Sequence, residues 1–148
     1  IIYTSCKSKE TSASTLAKIE RITTTVEAGK YKFTPRSANP TGYGTINLDP
    51  NYFLKVSDDT LQVYLPYFGR SYTAPIDATK IGFDFTSTDF DYTLNSKKDT
   101  WDIIIKPNDA KNKHIHIYMT IGNTGYASVR LQDSDRQGIS YYGEIETE

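Results

Sequence analysis

Three carboxylates, Asp84, Asp89 and Asp91, crowd the segment FDFTSTDFDYTL, and a His-x-His pair, His114 and His116, follows further on. Clustered carboxylate oxygens can hold calcium. A pair of them can serve as acid and base at a glycosidic bond. The spacing matches no calcium loop, and the glycine that a tight loop needs is absent. Glycoside cleavage needs one carboxyl in a cleft with a raised pKa, and nothing in the sequence marks one of the three as buried. A hydrolase of envelope polysaccharide acting through these aspartates is therefore an alternative reading, and a solvated, edge-protecting acidic face is the simpler one. The two imidazoles of an H-x-H pair point to one face of a strand and could bind zinc with a third ligand. The turn GNTG places Arg130 or Gln132 opposite His116, and neither suits zinc. No G-x-S-x-G elbow and no Gly-rich loop before a helix is present. No metal, cofactor or catalytic residue is expected, and the chain reads as a non-enzyme.

Cys6 is the only cysteine. It has no partner for an internal disulfide, and it lies far from either histidine, so a Cys–His nucleophile is not indicated. Its setting, IIYTSCKSKETSAS, carries small Thr4 and Ser5 before the cysteine and a polar tail after it. This resembles the end of a bacterial lipoprotein signal, with the sequence starting inside that signal. The expectation is an exported protein, periplasmic or anchored to the outer membrane, that touches the membrane only through a lipid on Cys6. Residues 1–14 would then be signal remnant and disordered linker, and residues 15–148 a single globular domain.

The stretch LQVYLPYFGRSYTAP gathers aromatic residues around Pro66, Gly69 and Arg70. Tyrosine and arginine are the types most enriched where proteins make strong contacts. Phe53, Tyr64, Tyr67, Phe68, Arg70 and Tyr72 are therefore the candidate binding residues. The partner would be an envelope component: a glycan, a peptide or a protein. The competing reading is a local mini-core, with Tyr67 and Phe68 folded under a bend and Arg70 stacked on a ring.

Elements must hold these groups in place. The chain has 148 residues, 24% charged, with a net charge of −1. Such a balance excludes a strong field for nucleic acid, and no run approaches the roughly 20 apolar residues of a membrane span. Twelve tyrosines and six phenylalanines against one methionine lean toward β-structure. Leu16, Ile19, Ile22 and Val26 fall on one helical stripe, with Ser14 as cap and Gly29 as stop.

After Gly29 the pattern alternates in short runs. Tyr31 and Phe33 open the first, and Tyr43 to Leu48 form the second. A hairpin with Asp58-Asp59 at its tip would pair Val56 with Leu61, Leu54 with Val63 and Tyr52 with Leu65. Phe53 would then face outward opposite Tyr64. A second hairpin would join Ile81, Phe83 and Phe85 to Phe90, Tyr92 and Leu94. Further inward rows are Trp101/Ile103/Ile105, Ile115/Ile117/Met119/Ile121, Ala127/Val129/Leu131 and Ile139/Tyr141/Ile145. The fold class is α+β and mainly β. One N-terminal amphipathic helix packs on a large antiparallel meander sheet of nine or ten strands, a sandwich or a partly closed barrel. A closed sheet with a hollow interior would instead carry a small apolar ligand.

The elements LPYFGRSYTAP, a glycine before FDF, and GISYYGEI resemble a family of Bacteroidetes envelope proteins catalogued as domain of unknown function 4251. The resemblance spans roughly residues 15 to 145, and LPYFGR is its most specific part. It implies secretion or lipoprotein signals and a single-domain organisation. It implies no activity and no catalytic residue. The leading expectation is a non-enzymatic binding or scaffolding module of the cell envelope.

Overall fold

The structure, a computed structural model, describes residues 2–42, 44–68, 82–134 and 136–146, with side chains from residue 13 onward. Helix α1 spans Ile2–Ala28. Ten strands follow: β1 Tyr31–Pro40, β2 Ile46–Asn47, β3 Phe53–Val56, β4 Leu61–Leu65 and β5 Phe83–Ser87, then β6 Phe90–Ser96, β7 Thr100–Pro107, β8 Ile115–Gly122, β9 Tyr126–Asp133 and β10 Arg136–Glu146. They form one sheet in the order β5-β4-β3-β1-β10-β9-β8-β7-β6, with β2 beside β1. The sheet curls until it is nearly closed and barrel-like.

The first hairpin forms in the predicted register. Leu54 pairs with Val63, Val56 with Leu61, and Phe53 with Tyr64. Ser57 N donates to Thr60 O at the Asp58-Asp59 tip. The later inward rows are also as expected. Ile103, Ile105, Ile117, Met119, Ile121, Val129, Leu131 and Tyr141 are buried in one continuous apolar cluster. Removing such rows from water is the main force holding the sheet curled.

The predicted second hairpin does not form. Strand β5 pairs with β4 and β6 pairs with β7, so these sequence neighbours are the two edges of the sheet. The reason is one of parity. Nine strands lie along the path and every pairing is antiparallel, so the first and last run in the same direction. Strands running the same way cannot make a two-residue hairpin. The chain instead passes through Thr88 and Asp89 without reversing, as one bent strand that serves both edges. Residues of the β7–β8 loop fix the bend. Asn108 N donates to Asp89 O at 2.8 Å, and the buried Ser87 hydroxyl donates to Asp109 Oδ1 at 2.7 Å. Near this seam Phe90 and Tyr92 are half-buried and Leu94 is exposed, so the row expected to face fully inward does so only in part.

Helix α1 begins at Ile2, well before the predicted cap at Ser14. No glycine or proline occurs before Gly29, and the lysines and glutamates of the segment are good helix formers, so nothing stops the helix earlier. Its apolar stripe is used only near its C-terminus. Ile22 and Val26 are buried, Ile19 is half-buried and Leu16 is 64% exposed. Gly125, at φ +98°, lies where an added Cβ would stand 3.3 Å from Ile22, so the β8–β9 turn lets the helix come close.

Candidate functional site

The residues singled out in the sequence are split between surface and core. Phe53 and Tyr64 pair on the outer face, with ring centroids 6.0 Å apart. Lys32 stands 5.6 Å from the centre of the Phe53 ring, and Tyr52 packs 5.3 Å from Tyr64. Tyr67 is buried, and its hydroxyl donates to Gln137 O at 2.8 Å. Phe68 is half-buried against the core. Arg70 and Tyr72 lie outside the described residues. The split follows from Pro66. It ends the ladder after Leu65, and the chain then crosses the end of the barrel, where Tyr141 donates to the Pro66 carbonyl.

Arg136 stacks on the Tyr67 ring. Its guanidinium lies 4.5 Å from the centre of Tyr67 and 4.2 Å from that of Phe83. Its Nε donates to the buried Asp133 Oδ2 at 2.8 Å, and His114 Nε2 stands 3.7 Å from the other oxygen. This is an internal charge cluster beneath the barrel end. His116 pairs with Gln132, as expected from the GNTG turn. Among the described residues no group of three or more His, Cys, Asp or Glu comes close enough to hold a metal. The aspartates expected on one hairpin face are exposed on separate elements, Asp84 on β5, Asp89 in the bend and Asp91 on β6.

A concave part of the described surface lies elsewhere, on the outer face of β7 to β10. Two grooves of about 440 Å³ each share Thr120, Ser128 and Tyr142 and so make one trough. Register builds it. Asp102 pairs with Thr120, Thr120 with Ser128, Ser128 with Tyr142, and Tyr142 with Ser37 of β1. The adjacent row runs Ile104, Tyr118, Arg130, Ser140. Thr120 and Ser128 at the centre of the first row and Ser140 at the end of the second leave a floor, and the larger side chains beside them are the walls. Tyr126 is 62% exposed, with Lys18 of α1 5.9 Å from its ring centre, and Tyr142 is 48% exposed.

Charges around the trough are mostly matched. Lys97 Nζ lies 2.6 Å from Asp102, and Thr120 Oγ1 donates to the same carboxylate at 3.0 Å. The Lys97 hydrogen bond, with that of Thr120, holds the Asp102 carboxyl below the usual range. Arg36 pairs with Glu144 at 3.2 Å. Arg130 has no ion-pair partner among the described residues. Its guanidinium lies over Gly138, where an added Cβ would stand 4.0 Å from Nε.

Sequence reasoning missed Tyr118, Tyr126, Arg130 and Tyr142. The signal was available: these residues occupy the outward phase of strands whose inward phase is apolar, and three of them are large and aromatic. No motif drew attention to them, because a cross-strand row gathers single residues from successive strands and leaves no contiguous pattern.

A family profile described as "Domain of unknown function (DUF4251)" matches residues 14–145. A solved structure, the crystal structure of a DUF4251 family protein from Bacteroides eggerthii, is similar over 91% of each chain, with a TM-score of 0.64 and 14% sequence identity. At that identity the likeness speaks for the fold. No curated protein matches the chain.

Proposed function

The chain belongs to the DUF4251 family, whose description carries no activity, and from that footing we propose a non-enzymatic binding module of the cell envelope, tethered by a lipid on Cys6. The observation that carries this reading is the trough bordered by the exposed Tyr126 and Tyr142. Exposed aromatic area beside a hydroxyl-lined groove offers stacking and hydrogen bonding together, the usual combination at a site for a small polar ligand. The Phe53/Tyr64 pair is a second, flatter contact surface on the opposite run of strands. Support for export and the tether is local, the small-small-Cys6 sequence followed by a polar segment. The hydrolase and carrier readings draw less support, since Asp84, Asp89 and Asp91 are exposed on separate elements and the inward rows pack into one cluster.

A screen of glycans, peptides and envelope extracts tests the reading. Wild type is compared with a Tyr126→Ala, Tyr142→Ala variant and a Phe53→Ala, Tyr64→Ala variant, each checked for folding by circular dichroism. The expected result is a ligand captured by wild type and lost in the first variant. Retention of every interaction by both folded variants would sink it. The tether is tested by feeding alkynyl palmitate to cells making the full-length precursor. Label should appear on wild type and disappear in Cys6→Ala.

A further inference from the structure

We propose that the trough on the outer face of β7 to β10 takes an acidic saccharide, a sugar ring bearing a carboxylate, oriented by Arg130. The proposal rests on the binding-module reading and specifies its ligand. Three observations converge. Tyr118 and Tyr142 present ring surface along the trough, which suits the C–H face of a pyranose. Ser128 and Ser140 line it with hydroxyls that can both donate and accept, and the Thr120 oxygen, whose proton goes to Asp102, can accept, which suits sugar hydroxyls. The third is charge. Asp102 is engaged by Lys97 and Thr120, whereas Arg130 is the cation lining this groove and has no carboxylate partner among the described residues. A guanidinium is a planar fork of donors that fits a carboxylate in two parallel hydrogen bonds. The Arg130 guanidinium lies beside Gly138 of β10.

The charges along the trough differ in sign from one place to the next. Asp102 lies at its β7 end and Arg130 on the neighbouring row at β9. A neutral sugar would use the rings and hydroxyls but leave Arg130 to water. A ligand with a carboxylate would use all three features, and it would bind in one direction, acid group toward Arg130 and hydroxyls toward Asp102.

The test uses a panel of α- and β-linked uronic acid oligosaccharides and neutral oligosaccharides of the same length. Binding is measured by calorimetry to wild type, Arg130→Gln and Tyr142→Ala, each confirmed as folded. Wild type should bind at least one uronate oligomer ten times or more tighter than its neutral counterpart, with the preference shrinking at high salt. Arg130→Gln should bind both kinds equally and weakly. Tyr142→Ala should lose both. Equal affinity of wild type for acidic and neutral oligomers, or an acid preference that survives in Arg130→Gln, overturns the ligand assignment while leaving a saccharide-binding module standing. Binding that survives Tyr142→Ala unchanged shows that the trough is not the site. Failure of wild type to bind any uronate oligomer also overturns the proposal, and the broader screen then decides the module reading separately.

Discussion

The hydroxyls of Tyr31 and Tyr92 meet at 2.7 Å, joining the first residue of β1 to the edge strand β6. Strand order places β6 at one end of the sheet and β1 near its middle, so this bond reaches across the barrel. Burial pushes both phenols up, with the charge and hydrogen bond of Tyr92 adding to the effect on Tyr31 and the hydrogen bond from Tyr31 partly offsetting it for Tyr92. Burial likewise raises Tyr141, against a smaller opposing pull from Arg136. A phenol with a raised native pKa stays protonated when the unfolded chain has already lost its proton. Stability is therefore intact below the ordinary phenol value of about 10 and falls as pH climbs beyond it. Urea titrations from about pH 8 to about 11 should show this fall. Tyr31→Phe should cost about 1 kcal/mol at neutral pH and make the alkaline fall shallower. An unchanged alkaline slope in that variant would remove Tyr31 from the account.

The bend between β5 and β6 depends on Ser87 and Asp109. The hydrogen bond from Ser87 is the main reason the Asp109 carboxyl sits below its ordinary range, with Asn112 contributing. Ser87→Ala should raise the Asp109 pKa toward its ordinary value, which NMR titration would read. It should also cost about 1–2 kcal/mol. A lowered native pKa gives stability that is present above about pH 4 and lost in acid, so the variant should differ from wild type less at low pH than at neutral pH. A pKa unmoved by the substitution would count against the bond.

Arg136 is the cation of a buried pair, with 10% of its side chain exposed against 2% for Asp133. Arg136→Met removes the guanidinium from Asp133 and from the Tyr67 and Phe83 rings. It should destabilise by about 3 kcal/mol or more, because the buried carboxylate loses its countercharge. Adding Asp133→Asn should recover at least half of that loss, since the charge that needed compensation is then gone. Additive losses in the double variant would mean that the two side chains contribute separately.

Gly143 marks where β10 crosses the irregularity in β1 at Pro35 to Ser37. A Cβ there would fall on the Thr34 carbonyl oxygen and stand 2.7 Å from the Pro35 Cα. Both obstacles are backbone, so neither can step aside. Gly143→Ala should cost about 3 kcal/mol or more by thermal unfolding, whereas Gly44→Ala, with open space around it, should stay within about 0.5 kcal/mol.

Along α1 the cost of substitution should rise toward the C-terminus. Val26→Ala should lose about 2 kcal/mol, as a fully buried side chain shrinks. Leu16→Ser should change stability by less than about 0.5 kcal/mol. Equal losses at the two positions would contradict the exposure of Leu16.

Local periodicity was a reliable guide to which way a side chain points within the central strands. The alternation from Leu54 to Leu65 and from Trp101 to Leu131 named the inward rows, and the Asp58-Asp59 and GNTG turns set the register beside them. The reason is that the pleat has period two and a short turn leaves little freedom in pairing. The same logic misjudged Phe83 to Leu94. Two alternating runs with a short break look like a hairpin, and nothing local distinguishes a reversal from a bend.

What the sequence determined alone was the inward face of most strands, the mainly antiparallel β class and the helix at its start. Tertiary structure decided which strand lies beside which. Pairing of β1 with β10 joins segments separated by most of the chain, and with the β1–β3 pairing it sets the strand count that sends β5 and β6 to opposite edges. The consecutive β8–β9 and β9–β10 pairings set Thr120, Ser128, Arg130 and Tyr142 in adjoining rows, and closure of the sheet carried Tyr67 under Arg136 instead of out to solvent. Alternation says that a residue faces outward, but every outward residue satisfies it equally. Which of them become neighbours depends on long-range contacts formed when the whole apolar face closes on itself.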